Sequence, residues 1–171
     1  MDTYMVVLRI VHILAGVFWV GAALTTLLFI QPTAREIGPA AGPFMMHLAG
    51  RKRLIDFVLG AAGLTVLAGL LMYWRVSDGL DADWIGSAPG VSLTVGALCA
   101  IAAFAIGGSV VRPMIMENLA IGRAVAASGG PPTPEQAAQL QALQRRGIAA
   151  GKAIVPLLIV AVIGMAAARY L

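Results

Sequence analysis

Charge is what this sequence has least of. Asp, Glu, Lys and Arg together make up 12% of its 171 residues, about half of the ~25% found in an average soluble domain. Apolar residues make up 60%, and the mean hydropathy is +0.89. A soluble enzyme, a disordered tail and a secreted disulfide scaffold are all excluded. Cysteine is nearly absent too. Cys99 stands alone, so no internal disulfide forms and helix packing must hold the fold. It lies within an apolar stretch, away from the electropositive surroundings that make a thiol reactive.

Several chemical signatures are also missing. The chain has no C-x-x-C-H haem attachment, no phosphate-binding glycine loop and no Cys/His zinc spacing. No acidic relay of the kind a pump needs runs through the apolar stretches, and Asp56 is the sole acid near one. The net charge of +4 and pI near 9.8 do not indicate a nucleic-acid binder. The basic residues flank apolar runs and form no contiguous face, which is a topological pattern.

What is present is length without charge. Spanning a hydrocarbon core about 30 Å thick takes ~20 helical residues. The stretch from Tyr4 to Ile30 is broken only by Arg9 and His12, Phe57 to Trp74 follows, and Val91 to Val111 carries no charge. Ile154 to Ala168 is shorter, and its helix is expected to begin earlier. Closed helices satisfy their own backbone groups, as lipid demands. The first stretch reads as an uncleaved span and not a signal peptide, because Asp2 and no Lys or Arg precede Arg9. The expected spans are 4–30, 54–74, 90–112 and 148–170.

The connections differ in charge. Residues 31–53 hold Arg35, Arg51, Lys52 and Arg53, and residues 112–152 hold Arg112, Arg123, Arg145, Arg146 and Lys152. Only Arg9, Arg75 and Arg169 lie elsewhere, while Asp78, Asp81 and Asp83 cluster between the second and third spans. Positive-inside bias then places the first and third connections in the cytoplasm and both termini outside. The third connection is more than a linker. Met114 to Ala127 can prolong the third helix, and Ser128-Gly-Gly-Pro-Pro breaks it. Thr133, Pro134 and Gln136 read as an N-cap, a first-position proline and half of a capping box. A helical hairpin over 113–147 is expected, its second arm running into the fourth span, which Pro156 should kink.

Small residues recur at helical spacing: Ala61, Thr65 and Gly69; Gly96 and Ala100; Ala103 and Gly107; Gly147 and Gly151. Such seams let helices approach closely in lipid. No repeat of 20–50 residues is evident.

His12 is the candidate for chemistry, since an ionisable side chain inside a span suggests function. Gly16, Trp19 and Ala23 share its face. An imidazole ligand, a glycine leaving room for a flat macrocycle and an aromatic wall are what a histidine-ligated haem needs. The alternatives are a buried hydrogen bond to a neighbouring helix, or proton handling. Arg9 is placed to meet haem propionates or to snorkel to headgroups. His47, the only other histidine, lies in the first connection. A helix rises about 27 Å between residues 12 and 30, so one haem cannot join both histidines. Met72 and Met165 fall near the level of His12, as core filler or as axial ligands. Arg51-Lys52-Arg53 reads as an interfacial anchor or an Arg contact for carboxylates, with Lys52 and Asp56 spaced to pair.

The run His12-Ile-Leu-Ala-Gly-Val-Phe-Trp19-Val-Gly21 resembles the first-span motif of copper-resistance D-type membrane proteins and of related four-helix bacterial membrane families. The N-terminal helix of HemJ-type protoporphyrinogen oxidases is similar, with histidine, tryptophan and glycine at comparable spacing. The HemJ-type resemblance implies a haem b protein that oxidises protoporphyrinogen, its histidine ligand falling on His12. Leu28-Phe29-Ile30-Gln31-Pro32 departs from that group, which has a basic residue and often a second histidine there. The copper-resistance resemblance implies copper handling at the membrane.

The expected architecture is all-α and integral to the membrane, a four-transmembrane-helix up-down bundle with a short cytoplasmic helical extension. The expected location is the bacterial cytoplasmic (inner) membrane. The expected function is haem b binding for electron transfer or redox chemistry, with His12 as axial ligand and Gly16, Trp19 and Arg9 around the cofactor. A quinone or a redox partner protein would exchange electrons with it, nucleic acid is not a partner, and a homo-oligomer stays open. A non-catalytic scaffold or accessory subunit, in which His12 only joins helices, and copper transport or resistance are the alternatives.

Overall fold

The structure is a computed structural model that describes residues 2–171. All regular structure among the described residues is helical. Four helices are long and apolar enough to cross a membrane: α1 (Thr3–Ile37), α2 (Leu54–Val76), α3 (Ala88–Ser128) and α4 (Pro134–Tyr170). Asp2 caps α1 by accepting from the Tyr4 N–H at 3.2 Å. Ser87 caps α3 by accepting from the Gly90 N–H. At α4 the Thr133 hydroxyl accepts from the Gln136 N–H, while the Gln136 side chain accepts from the Thr133 N–H. The capping box read from the sequence is therefore formed. From it α4 runs unbroken through Pro156.

Both α1 and α3 widen into π turns, at Thr26–Ile30 and Gly107–Val111. Each lies just before a proline, Pro32 or Pro113. Proline cannot donate to the carbonyl four residues earlier and its ring crowds that carbonyl. A locally wider helix relieves the clash without ending the helix.

The stretch from residue 31 to 53 is not an open loop. Gln31–Ile37 prolongs α1, Gly38 ends it with φ +69, and a 3₁₀ turn, a short helix (Gly42–Met46) and a π turn (His47–Arg51) follow. Apolar residues dispersed among its prolines and glycines explain this. A Cβ on Gly50 would touch Leu119, and one on Gly122 would touch Met46, so the segment lies on the extension of α3. Leu119 and Ile121 are buried in that extension, and Leu143 is buried on α4. The α2–α3 connection likewise holds a short helix, Ala82–Gly86, capped by Asp81. The Trp84 ring packs edge-on against Tyr73 at 5.4 Å.

Packing is closest within two pairs, α1 with α2 and α3 with α4. At Gly96 and Gly164 the seam between α3 and α4 leaves no room for a larger side chain. A Cβ on Gly96 would lie 3.2 Å from the Ala161 carbonyl oxygen, and one on Gly164 would lie 2.9 Å from that of Ser92. The Ser92 hydroxyl also donates to the Gly164 carbonyl at 2.8 Å. The pairs meet through Leu59 against Gly107 and Leu27 against Gly151. Arg112 at the π turn of α3 donates to Asp56 at the start of α2, at 3.0 Å. Asp56 accepts its other bond from Arg53 at 3.0 Å. The expected pairing of Lys52 with Asp56 is thus replaced. Arg53 turns left-handed at φ 53 as the N-cap of α2, which brings its own guanidinium to the carboxylate.

Candidate functional site

His12 lies in the interface between α1 and α2. Its Nδ1 donates to the Thr65 carbonyl at 2.8 Å, and the direction follows because a carbonyl can only accept. A carbonyl has two lone pairs, so Thr65 can serve both its own helix and the imidazole. The Thr65 hydroxyl is turned back to the Ala61 carbonyl at 2.8 Å. Gly69, one turn beyond Thr65, makes the seat. A Cβ there would lie 2.9 Å from His12 Cε1 and 3.1 Å from Nδ1, so the ring rests on bare backbone.

This bond fixes the tautomer. With Nδ1 carrying the hydrogen, the lone pair of the neutral ring is on Nε2. Among the described residues no hydrogen bond engages Nε2 and no buried side-chain nitrogen or oxygen lacks a partner. Nε2 therefore lies at an accessible surface of the α1–α2 pair. A metal-ligating histidine typically donates its other nitrogen to a carbonyl or carboxylate in this way, which orients the ring and raises its basicity.

The other expected site residues divide. Gly16 is one turn from His12 and also meets α2, with the Thr65 methyl 3.4 Å from where its Cβ would stand. Trp19 is 5% exposed and belongs to the apolar core with Val58, Ala62 and Ile154. Arg9 is exposed and forms no ion pair among the described residues. Gly21, which closes the motif, has nothing within 4 Å of its Cβ position. His12 and Gly16 are thus brought together on Thr65, while Trp19 anchors the helix further along. His47 is exposed in the segment after α1.

Thr65 and Gly69 hold His12, although their four-residue spacing reads in the sequence only as a packing seam. In the sequence Asp56 is spaced to pair with Lys52, and nothing local couples it to Arg112, to which the fold brings it. Among the described residues no group of three or more His, Cys, Asp or Glu is placed to hold a metal ion.

Comparison with known proteins adds no relative. No family model, curated protein or solved structure matches the chain.

Proposed function

We propose that this chain is an integral membrane protein, an up-down bundle of four spans, that binds haem b for electron transfer or redox chemistry. The observation that supports this reading is the His12 ring, oriented through Nδ1 by the Thr65 carbonyl with Nε2 unengaged. Bound there, haem b would supply one-electron redox chemistry. His12 would ligate through Nε2, Thr65 would hold the ring and its tautomer, and Gly69 would keep the backbone bare behind it. Trp19, locked in the core, fixes the rotation of α1 and so the direction of His12. Arg9, three residues earlier and exposed, is available to a propionate or a headgroup. Positive-inside bias supports an orientation in the inner membrane with the two basic connections in the cytoplasm and both termini outside.

Purified protein supplied with haem should show a Soret band that disappears in His12→Ala and persists in His47→Ala. Protein that stays colourless after haem supply refutes the proposal. A second reading, a membrane scaffold in which His12 only joins α1 to α2, is favoured by the closure of Gly16 on the Thr65 methyl. It predicts colourless protein in which His12→Ala lowers only stability. Copper handling has no comparable observation in its support.

A further inference from the structure

The prolines and cations left over from the His12 site converge elsewhere. Between the end of α1 and the middle of α4 lies a cavity of about 330 Å³, lined among others by Leu28, Gln31, Pro32, Arg35, Lys152 and Pro156. Gly147 and Gly151 also line it, with Met114 and Leu27 packed against them. Pro156 has no N–H, so it does not donate to the Lys152 carbonyl four residues earlier in the helix. Lys152 and Pro156 line the same cavity, and a carbonyl without its helical donor takes one from elsewhere. Arg35 and Lys152 bring two positive charges, both exposed and in no ion pair among the described residues. An occupant should therefore carry an anion, hydroxyl donors and an apolar tail.

We infer that this cavity binds an anionic phospholipid with a hydroxyl-bearing headgroup, of the phosphatidylglycerol type. Its phosphate sits between Arg35 and Lys152, and a headgroup hydroxyl donates to the Lys152 carbonyl that Pro156 leaves without its helical donor. Its acyl chains run out past Leu28, which is half exposed. The volume accommodates a headgroup and not a whole lipid, so the tails lie on the outer face of the bundle. Basic pockets between spans on the cytoplasmic side are suited to anionic headgroups. This inference rests on the membrane-spanning part of the proposed function and not on haem.

Native mass spectrometry of delipidated protein, titrated with phosphatidylglycerol or phosphatidylcholine, tests it. Phosphatidylglycerol should bind preferentially. Arg35→Gln/Lys152→Gln should weaken it about tenfold or more, at roughly a factor of several per basic residue. Leu28→Trp fills the cavity without altering charge and should weaken it as well. Arg145→Gln/Arg146→Gln removes the same charge from the hairpin and should change binding less than twofold, with thermal melting confirming that each variant folds. Equal binding of the two lipids, full binding by the double variant, or equal loss in the hairpin control overturns the inference. Displacement by millimolar inorganic phosphate overturns the lipid assignment in favour of a free anion. Colour and lipid binding are read separately, so a colourless protein leaves this result standing.

Discussion

At the scale of the residue, the decisive contact is an imidazole resting on a glycine. Gly69 has no side chain where one would press on Cε1 and Nδ1 of His12. Gly69→Ala must therefore push the ring away and lengthen or break its bond to the Thr65 carbonyl. If His12 ligates haem as proposed, retention in Gly69→Ala should fall toward that of His12→Ala, read as Soret absorbance per mole of protein. The cost in stability should stay near 1 kcal/mol, the size of one hydrogen bond. Gly21→Ala is the matching control. Its Cβ meets nothing, so helix propensity alone acts and the variant should be neutral or slightly stabilised. Full haem retention in Gly69→Ala would show that the seat does not position the ligand.

At the scale of the element, glycine acts in a second way, on backbone contact. The α3–α4 crossing places Gly164 against the Ser92 carbonyl oxygen at 2.9 Å and against Gly96 Cα at 3.5 Å, measured from an added Cβ. Backbone cannot swing aside as a side chain can. Gly164→Val should force the helices apart and cost about 1–3 kcal/mol, lowering the unfolding midpoint in detergent by roughly 2–10 °C. An unchanged midpoint would mean that the crossing is loose. The same scale explains the π turns. Pro32 and Pro113 sit in helices that continue because the chain widens before them.

At the scale of the whole molecule, two helical pairs are joined by few close contacts, and an extension beyond the apolar spans is covered by the segment after α1. The hairpin tip is a break in the helix, with Gly129 left-handed at φ +66. Residues 128–135 are exposed, while Leu119, Ile121 and Leu143 are buried behind them. Limited proteolysis should cut at this tip first. The nicked chain should still elute as one particle in mild detergent, since α3 and α4 stay packed on each other. Separation of the fragments would show that the hairpin link, and not packing, holds the halves together.

The sequence by itself determined the number and character of the long helices. Apolar length, proline, glycine and capping residues act within a few neighbours along the chain. Thr133, Pro134 and Gln136 therefore disclosed the start of α4, and Gly129 the end of α3. It also singled out His12, because an ionisable group in an apolar run stands out without any structure. Only the tertiary structure decided what His12 touches. Thr65 and Gly69 lie far from it in sequence, and nothing local distinguishes their seam from Gly96 and Ala100. Long-range packing likewise gave Asp56 to Arg53 and Arg112 instead of Lys52, and folded residues 31–53 onto the α3 extension. Scarce charge made the helices legible, whereas partner choice depended on backbone approach, which no single segment encodes.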